Sequence, residues 1–256
     1  MTVRDLDQPR GWAWRLAVGL LKPPLLALSQ RTWLDGEKVP ATGGCIVVVN
    51  HVSHIDPLML AHFLYDHGRI PRYLAKSGLF HNKLLGGFLT AAGQIPVERQ
   101  TRDALSAYAA AVQAVEAGEC VAFYPEGTIT RDPDLWPMRG KSGAARVALE
   151  TGCPVIPIAH WGVQDILAPY AHKPDLLPRK TVTVKAGDPI PLEDLRAVPA
   201  TTETVQQATD RIMAAITGLL EEIRGEQAPA ERFDPRAAGV RITGNPNKQE
   251  KKKGRR

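Results

Sequence analysis

The stretch CIVVVNHVSHIDPLML, residues 45–60, decides the fold. Its apolar residues 45–49 predict a buried strand. Asp56-Pro57 predicts a helix start, with the aspartate as N-cap and the proline in the first helical position. His51 then lies in the turn between strand and helix. Because α/β sheets bind ligands outside the carboxyl ends of their strands, this turn is the expected place for a functional site.

The same alternation continues along the chain. Apolar runs bounded by turn residues predict strands at 45–49, 72–75, 94–97, 120–124, 155–160 and 181–186. Segments with apolar residues at helical spacing lie at 57–65, 101–117, 142–151 and 202–224. This order predicts an α/β fold with a single domain, in which helices flank a largely parallel central sheet.

Composition limits the class of protein. The chain has 256 residues, 44% hydrophobic and 23% charged, which favours a globular domain over collagen, long disorder or a polytopic membrane protein. Cys45, Cys120 and Cys153 lie in or beside apolar runs without a C-x-x-C pair, which predicts buried thiols. We expect an N-terminal segment over 1–35, the α/β domain over 36–225, and a polar, basic, disordered tail over 226–256.

The N-terminal segment contains the apolar run GWAWRLAVGLLKPPLLALSQ, residues 11–30. Lys22-Pro23-Pro24 divides this run into halves that are shorter than the ~20 residues of a spanning helix. The pattern predicts a hairpin of two short helices that meet at the prolines and lie in the membrane interface, anchored by Trp12, Trp14 and Trp33. The alternative is a hairpin packed on its own domain.

The formal net charge of +5 favours an anionic partner. The end of the chain, NKQEKKKGRR at residues 247–256, carries six basic residues and one acidic residue. It is either a solvated end or an attachment to anionic lipid, worth roughly 1 kcal/mol per basic residue near the surface. Nucleic acid is disfavoured, since no basic helix carries interleaved aromatic residues. We expect a peripheral or monotopic protein at the cytoplasmic face of the cell membrane.

The spacing of His51 and Asp56 excludes a pair on one helical face, because five residues on a straight helix turn through roughly 500°. A turn of this length can instead fold Asp56 back to accept a hydrogen bond from the imidazole. The carboxylate then fixes the tautomer and stabilises the imidazolium, and the other ring nitrogen takes a proton. The alternative is that Asp56 only caps the helix while His51 satisfies backbone groups.

Three further blocks bring polar groups to predicted strand or helix ends. In GQIPVERQ (93–100) an apolar strand ends with Arg99, Glu126-Gly127-Thr128 follows a strand in FYPEGTITR (123–131), and Lys141 lies at a predicted helix start. Arg99, Lys141 and the helix N-terminus together predict a phosphate pocket, although each alone is typical of surface charge. Ser53 lies outside a G-x-S-x-G elbow, and no cluster completes a metal site with the histidines.

With these blocks in order, residues 30–190 resemble the 1-acylglycerol-3-phosphate acyltransferase family of membrane-associated glycerolipid acyltransferases. NHVSHIDP is similar to its N-H-x-S-x-x-D, GQIPVER to G-x-I-x-[VI]-x-R, YPEGT to F-P-E-G-T, and CPVIPIA to V-P-[VI]-[VI]-P-[VI]. Lys141 to Ala144 match a K-x-G-A element. One departure is Ile129, which stands where the family usually has arginine. Arg131, two positions on, is the candidate replacement.

The resemblance implies an acyl transfer that gives phosphatidic acid in phospholipid synthesis. His51 takes the proton of a lysophospholipid hydroxyl as it attacks the thioester of acyl-CoA or acyl-carrier protein, and Asp56 supports the imidazolium. No metal, cofactor or covalent intermediate is required beyond this co-substrate. The implied acceptor-binding residues are Arg99, Glu126, Gly127, Thr128, Arg131 and Lys141.

Other functions stay open on the sequence. The acceptor is alternatively another lysophospholipid or a glycolipid. A His–Asp base also suits a lipid esterase or thioesterase, in which it activates water. A module that binds membranes without catalysis is a third reading. The apolar stretch 77–93 predicts either an acyl-chain tunnel or ordinary core packing.

Overall fold

Seven strands form one central sheet in the part of the chain that the computed structural model describes, residues 4–6, 8, 11–97, 103–241 and 244–245. In spatial order they run β1-β7-β6-β2-β5-β3-β4. All neighbours are parallel except β6 and β7. The strands are β1 (Ser29–Leu34), β2 (Cys45–Val49), β3 (Pro71–Lys76), β4 (Ile95–Val97), β5 (Cys120–Phe123), β6 (Val155–Trp161) and β7 (Lys180–Ala186).

Helices cover both faces of this sheet because alternate residues of β2 point to opposite sides. Ile46 and Val48 pack in one buried cluster, and Val47 and Val49 pack in the other. The first cluster lies under α4, α5 and α8, and the second lies under α2. The helices are α1 (Trp12–Leu28), α2 (Asp56–Asp66), α3 (Lys83–Ala91), α4 (Asp103–Glu116), α5 (Gly143–Thr151), α6 (Val163–Ile166), α7 (Glu193–Arg196) and α8 (Thr202–Arg224).

The structure confirms the α/β fold with a largely parallel sheet. Each of the six predicted strands is present, with ends within one residue of the prediction. The helices predicted at 57–65, 142–151 and 202–224 agree equally well, and α4 occupies the described part of 101–117. The burial of all three cysteines is confirmed too.

The structure corrects the prediction of a helical hairpin in the N-terminal segment. One helix, α1, runs from Trp12 to Leu28 with Pro23 and Pro24 inside it, so the predicted break at the prolines is wrong. A proline inside a helix leaves the carbonyl four residues earlier without its usual donor. Those carbonyls belong to Gly19 and Leu20, which are exposed, so water can satisfy them. Within the described ranges, no helix has the length and apolar composition needed to cross a bilayer.

Strand β1 is the element that the sequence analysis misses. Residues 29–34 of the predicted interfacial segment pair in parallel with β7 along the whole strand. Trp33 is only 7% exposed, so its prediction as a headgroup anchor is wrong. Its indole Nε1 donates to Asp66 Oδ2 at 3.0 Å, and its ring meets Phe63 edge to face. Trp33 therefore fastens the edge of the sheet to α2.

The described start of the predicted tail packs on the domain. Ala228 contacts the apolar cluster of Trp136, Leu219 and Leu220, and the amide of Arg139 donates to the carbonyl of Phe233 at 3.2 Å. This part of the chain is therefore held against the sheet domain rather than free. The basic run 247–256 lies outside the described residues.

A comparison of Trp33 with Trp12 tests whether residues 29–34 belong to the core sheet. We expect Trp33→Ala to lower the free energy of unfolding by about 3–5 kcal/mol, because it removes a buried ring from the contact between β1 and α2. Trp12→Ala, on the exposed face of α1, should change it by less than about 0.5 kcal/mol. Denaturant titration of both variants measures the difference. Equal effects would contradict the assignment of residues 29–34 to the core sheet.

Candidate active site

The site begins where three neighbouring strands end. β5, β2 and β6 lie side by side and parallel, so their carboxyl ends meet at one edge of the sheet. The turn after β2 carries His51, the loop after β5 carries residues 126–128, and β6 reaches the same edge at His160. Hydrophobic runs of similar length, paired in register, thus bring residues more than 100 positions apart to one place.

His51 and Asp56 are in direct contact. Nδ1 of His51 lies 2.7 Å from Oδ2 of Asp56. The aspartate is fully buried, while the histidine side chain keeps 16% of its surface exposed. Since a carboxylate can only accept, Nδ1 carries the hydrogen whenever this bond forms. The neutral ring then has its lone pair on Nε2, which makes it a potential base.

Asp56 acts on its own turn rather than on the helix that follows. Its Oδ2 also accepts from the amides of Val52 and Ser53, at 2.7 and 2.8 Å. It is the first residue of α2 and makes no capping bond to that helix, so the N-cap prediction is wrong. Three N–H donors on one buried oxygen stabilise the ionised carboxylate. Ser53 is buried as well, and its hydroxyl donates to the carbonyl of Leu167 at 2.6 Å.

The loop after β5 holds the main chain of His51 on both sides. The amide of His51 donates to Glu126 Oε1 at 3.0 Å, and its carbonyl accepts from the amide of Thr130 at 2.8 Å. The ring of Tyr124 lies against the imidazole with 4.4 Å between the centroids. The histidine is therefore fixed by two elements that are distant in the sequence.

Glu126 has a different role from the predicted one. It is buried, and its second oxygen accepts from the amide of Met138 at 3.1 Å. Both carboxyl oxygens thus bind main-chain amides instead of facing a substrate. Burial raises the pKa of Glu126 to about 8, although the hydrogen bonds from Met138 and His51 oppose the rise. The residue connects the His51 turn to the loop before α5.

The side chain of Lys141 lies beside Gly127. The ammonium of Lys141 lies so close to Gly127 that a Cβ added there would be 2.5 Å from Nζ. Gly127 also has φ +70°, a conformation that side chains other than glycine rarely adopt. Lys141 is exposed, and its amide donates to the carbonyl of Pro125 at 2.8 Å. The chain thus presents a positive charge just before the N-terminus of α5.

Arg131 is covered rather than open. Its guanidinium lies 4.3 Å above the ring of Tyr170, and Nη2 donates to the carbonyl of Gly244 at 2.7 Å. Burial lowers its pKa. Ile129, which occupies the position of the family's arginine, is buried too. In this arrangement Arg131 supports its loop, in contrast to the predicted contact with substrate.

Tyr170 is a site residue that the sequence analysis misses. Its hydroxyl donates to the carbonyl of Ile129 at 2.7 Å and lies 3.5 Å from Thr128 Oγ1. Its own φ is +60°, which is uncommon for a residue with a side chain. It follows α6 in a segment without periodic pattern, so no sequence signal marks it.

The sequence analysis named two further features. Arg99 falls outside the described residues. The stretch 77–93 forms α3 at the surface, where Leu84 is 87% exposed and Leu85 is also exposed, so neither a tunnel nor core packing describes these leucines. In the described part of the chain, no group of three or more His, Cys, Asp or Glu side chains is arranged to hold a metal ion.

Comparison with known proteins matches this site to a family. The model of the family described as Acyltransferase aligns with residues 32–161, just over half of the chain. This range includes His51, Asp56, the loop after β5 and the end of β6.

Individual relatives carry a more specific name. A chloroplastic 1-acyl-sn-glycerol-3-phosphate acyltransferase of Brassica napus is 32% identical over 124 residues, covering 48% of this chain and 34% of the relative. A 1-acyl-sn-glycerol-3-phosphate acyltransferase of Borreliella burgdorferi is 30% identical, covering 49% and 52%. One from Bacillus subtilis is 28% identical, covering 64% and 75%. The chain thus spans about a third and a half of the first two.

A solved structure shares the fold. The crystal structure of the 1-acyl-sn-glycerophosphate acyltransferase PlsC from Thermotoga maritima aligns with a TM-score of 0.58 over 82% of each chain, at 19% sequence identity.

The buried Glu126 predicts a pH-dependent stability. Since its pKa is about 8 in the folded protein and near 4.5 when unfolded, the unfolded state binds fewer protons between these values. The contribution of Glu126 to stability is therefore complete below about pH 4.5 and is lost as pH rises through 8, by at most about 1.4 kcal/mol per pH unit. Denaturant titrations over this range should show a flatter pH dependence for Glu126→Gln than for the wild type. The exposed Glu231→Gln is the control, and an unchanged slope in Glu126→Gln would contradict the prediction.

Proposed function

The chain belongs to the acyltransferase family, and from this premise we propose that it transfers a fatty acyl group from acyl-CoA or acyl-carrier protein to the free hydroxyl of 1-acylglycerol 3-phosphate. The product is phosphatidic acid, for phospholipid synthesis. The observation that carries the proposal is the 2.7 Å contact between His51 and a fully buried Asp56 at the carboxyl end of β2. The names of the relatives at 32% and 30% identity support this acceptor.

The proposed reaction uses His51 as a general base. Nε2 takes the proton of the acceptor hydroxyl while its oxygen attacks the thioester carbonyl, and Asp56 stabilises the imidazolium that forms. When the tetrahedral intermediate collapses, the carbon–sulfur bond breaks and the departing thiolate takes the proton back from Nε2. An ester and a free thiol result, with no cofactor besides the thioester co-substrate. A positioned base of this kind contributes typically 10²–10⁴-fold.

The proposed phosphate subsite centres on Lys141. Its ammonium lies beside Gly127, and the N-terminus of α5 has no side-chain cap; both features favour an anion. Thr128 lies on the same loop, and the sequence adds Arg99 to this subsite. Arg131 contributes by holding the loop against Tyr170, since its guanidinium is covered.

Because the acceptor and the product are membrane lipids, we also propose that the exposed face of α1 binds the cytoplasmic surface of the membrane. Trp12, Leu16 and Leu20 recur every four residues and are 62%, 53% and 68% exposed. The exposed Leu84 on α3 extends this face, since Trp12 contacts Phe88 of α3 edge to face. An apolar stripe with an interfacial tryptophan is typical of a helix that lies in the headgroup region. The basic run 247–256 would add attraction to anionic lipid.

Substitution of the dyad tests the chemistry. We expect His51→Ala to lower kcat about 10²–10⁴-fold and Asp56→Asn to lower it similarly, because the first removes the base and the second its orientation. His172→Ala, at an exposed histidine, should leave kcat within about twofold of wild type. Acyl transfer from radiolabelled acyl-CoA and from acyl-carrier protein measures the effect. Full activity of His51→Ala would refute the mechanism.

A panel of acceptors on the wild type and on His51→Ala extends this test to the substrate. The panel contains 1-acylglycerol 3-phosphate, other lysophospholipids, a glycolipid and a sample without acceptor, and mass spectrometry identifies the products. Phosphatidic acid should dominate. A different preferred acceptor would reassign the substrate, and steady release of free fatty acid without acceptor would identify an esterase or thioesterase.

The α1 face predicts how the protein binds vesicles. The triple variant Trp12→Ser/Leu16→Ser/Leu20→Ser should bind phosphatidylglycerol vesicles at least about tenfold more weakly, because each apolar side chain buried in the interface contributes roughly 1.5–3 kcal/mol. A control with Leu105→Ser and Leu177→Ser removes two exposed leucines from other surfaces and should bind normally. Deletion of residues 247–256 should remove the salt-sensitive part of the binding. If the control lost as much binding as the triple variant, the α1 face would not be the docking surface.

A further inference from the structure

A second histidine lies behind the dyad, at the end of β6. His160 is 1% exposed, and its Nε2 lies 3.1 Å from the carbonyl oxygen of Asn50 and 3.6 Å from Oδ2 of Asp56. The oxygen that binds His51 therefore also has His160 close to it, from a neighbouring strand. The proposed mechanism gives this residue no role so far.

The contacts fix the tautomer of His160. A carbonyl oxygen only accepts hydrogen bonds, so Nε2 must carry the hydrogen. Burial lowers the pKa of His160, although the charge of Asp56 opposes this effect, and the neutral ring is favoured. Nδ1 is then a bare acceptor, and it has no hydrogen-bond partner among the described residues. His160 thus presents one N–H to Asn50 and Asp56 and no net charge.

The side chain of Asn50 locks this arrangement. Its Nδ2 donates to the carbonyl of His160 at 3.0 Å, and its Oδ1 accepts from the amide of His160 at 2.9 Å. These two bonds join the residue that follows β2 to the second-to-last residue of β6, immediately before His51. The Asn50 side chain thus fixes the main chain of His160, and the Asn50 carbonyl fixes its ring, which keeps the ring beside Asp56.

From this geometry, and resting on the proposed acyl transfer, we propose that His160 is a positioning residue that sets how strongly Asp56 holds the His51 imidazolium. Oδ2 of Asp56 already receives three N–H donors, and the N–H of His160 adds positive potential at 3.6 Å. A carboxylate whose charge is better compensated attracts the imidazolium less.

Other ionisable groups around the dyad are few among the described residues. His54 lies on the same turn, Tyr124 and Glu126 come from the loop after β5, and the buried Tyr73 of β3 stacks on Tyr124 and donates its hydroxyl to the carbonyl of Pro57. On the far side of β6, His160 pairs with Val184 of β7, which carries no charge. His160 is therefore the group whose N–H acts on Asp56 from the sheet side.

The pH profile of acyl transfer separates this role from a merely structural one. In His160→Leu the compensating N–H is lost and Asp56 attracts the His51 imidazolium more strongly, so we expect the acidic limb of kcat/KM to move to higher pH, with the limiting kcat and the acceptor KM little changed. His160→Gln retains an amide N–H at a similar reach and should restore the limb close to wild type. Ile158→Ala, a cavity in the same strand, is the control for lost stability and should leave the limb in place.

If His160→Leu does not fold, His160→Asn replaces it, because the shorter amide stays polar but cannot reach Asp56. Denaturant titration of every variant establishes folding. An acidic limb that is unmoved in the Leu and Asn variants, or moved as much in Ile158→Ala, would overturn the role of His160. Absence of acyl transfer by the wild type would instead overturn the proposed function, so the two failures are distinguishable.

Discussion

Oδ2 of Asp56 is the atom on which the arrangement of the site depends. It accepts from His51 Nδ1, Val52 and Ser53 in a fully buried position, where an uncompensated charge would be very costly. The amides can reach it only if the chain turns back between β2 and α2. The hydrogen bonds to this one buried carboxylate oxygen therefore shape the turn, and the same turn presents the imidazole at the edge of the sheet.

The loop after β5 makes this turn rigid. Glu126 binds the amide of His51 with one oxygen and that of Met138 with the other, so the glutamate supports the base from inside the protein. Ile129 stands where the family usually has arginine. Close to it, Arg131 stacks on Tyr170, and the Tyr170 hydroxyl donates to the carbonyl of Ile129. Among the charged motif residues that the structure describes, Glu126 and Arg131 are buried and Lys141 is exposed.

The N-terminal segment completes the sheet and also exposes an apolar helix face. β1 completes the edge of the sheet through Trp33, while α1 leaves Trp12 and two leucines exposed on one face. Because α1 leads directly into β1, a membrane-bound α1 would hold the domain at a fixed distance from the lipid. This coupling would suit the proposed acceptor, which is a membrane lipid.

The sequence by itself determined the α/β class, six strands, the main helices and the pairing of His51 with Asp56, because these follow from periodicity and short spacing. The tertiary structure alone decided the remaining features, namely β1, the continuous α1 and the further residues of the site, because these depend on contacts between distant segments. β1 is an edge strand of alternating burial, and it is recognised as a strand only by its pairing with β7. α1 continues through two prolines because the carbonyls that lose their donors, on Gly19 and Leu20, are exposed to solvent. Glu126 turned inward, and Tyr170 and His160 joined the site, because strand pairing placed backbone groups and a buried charge beside them.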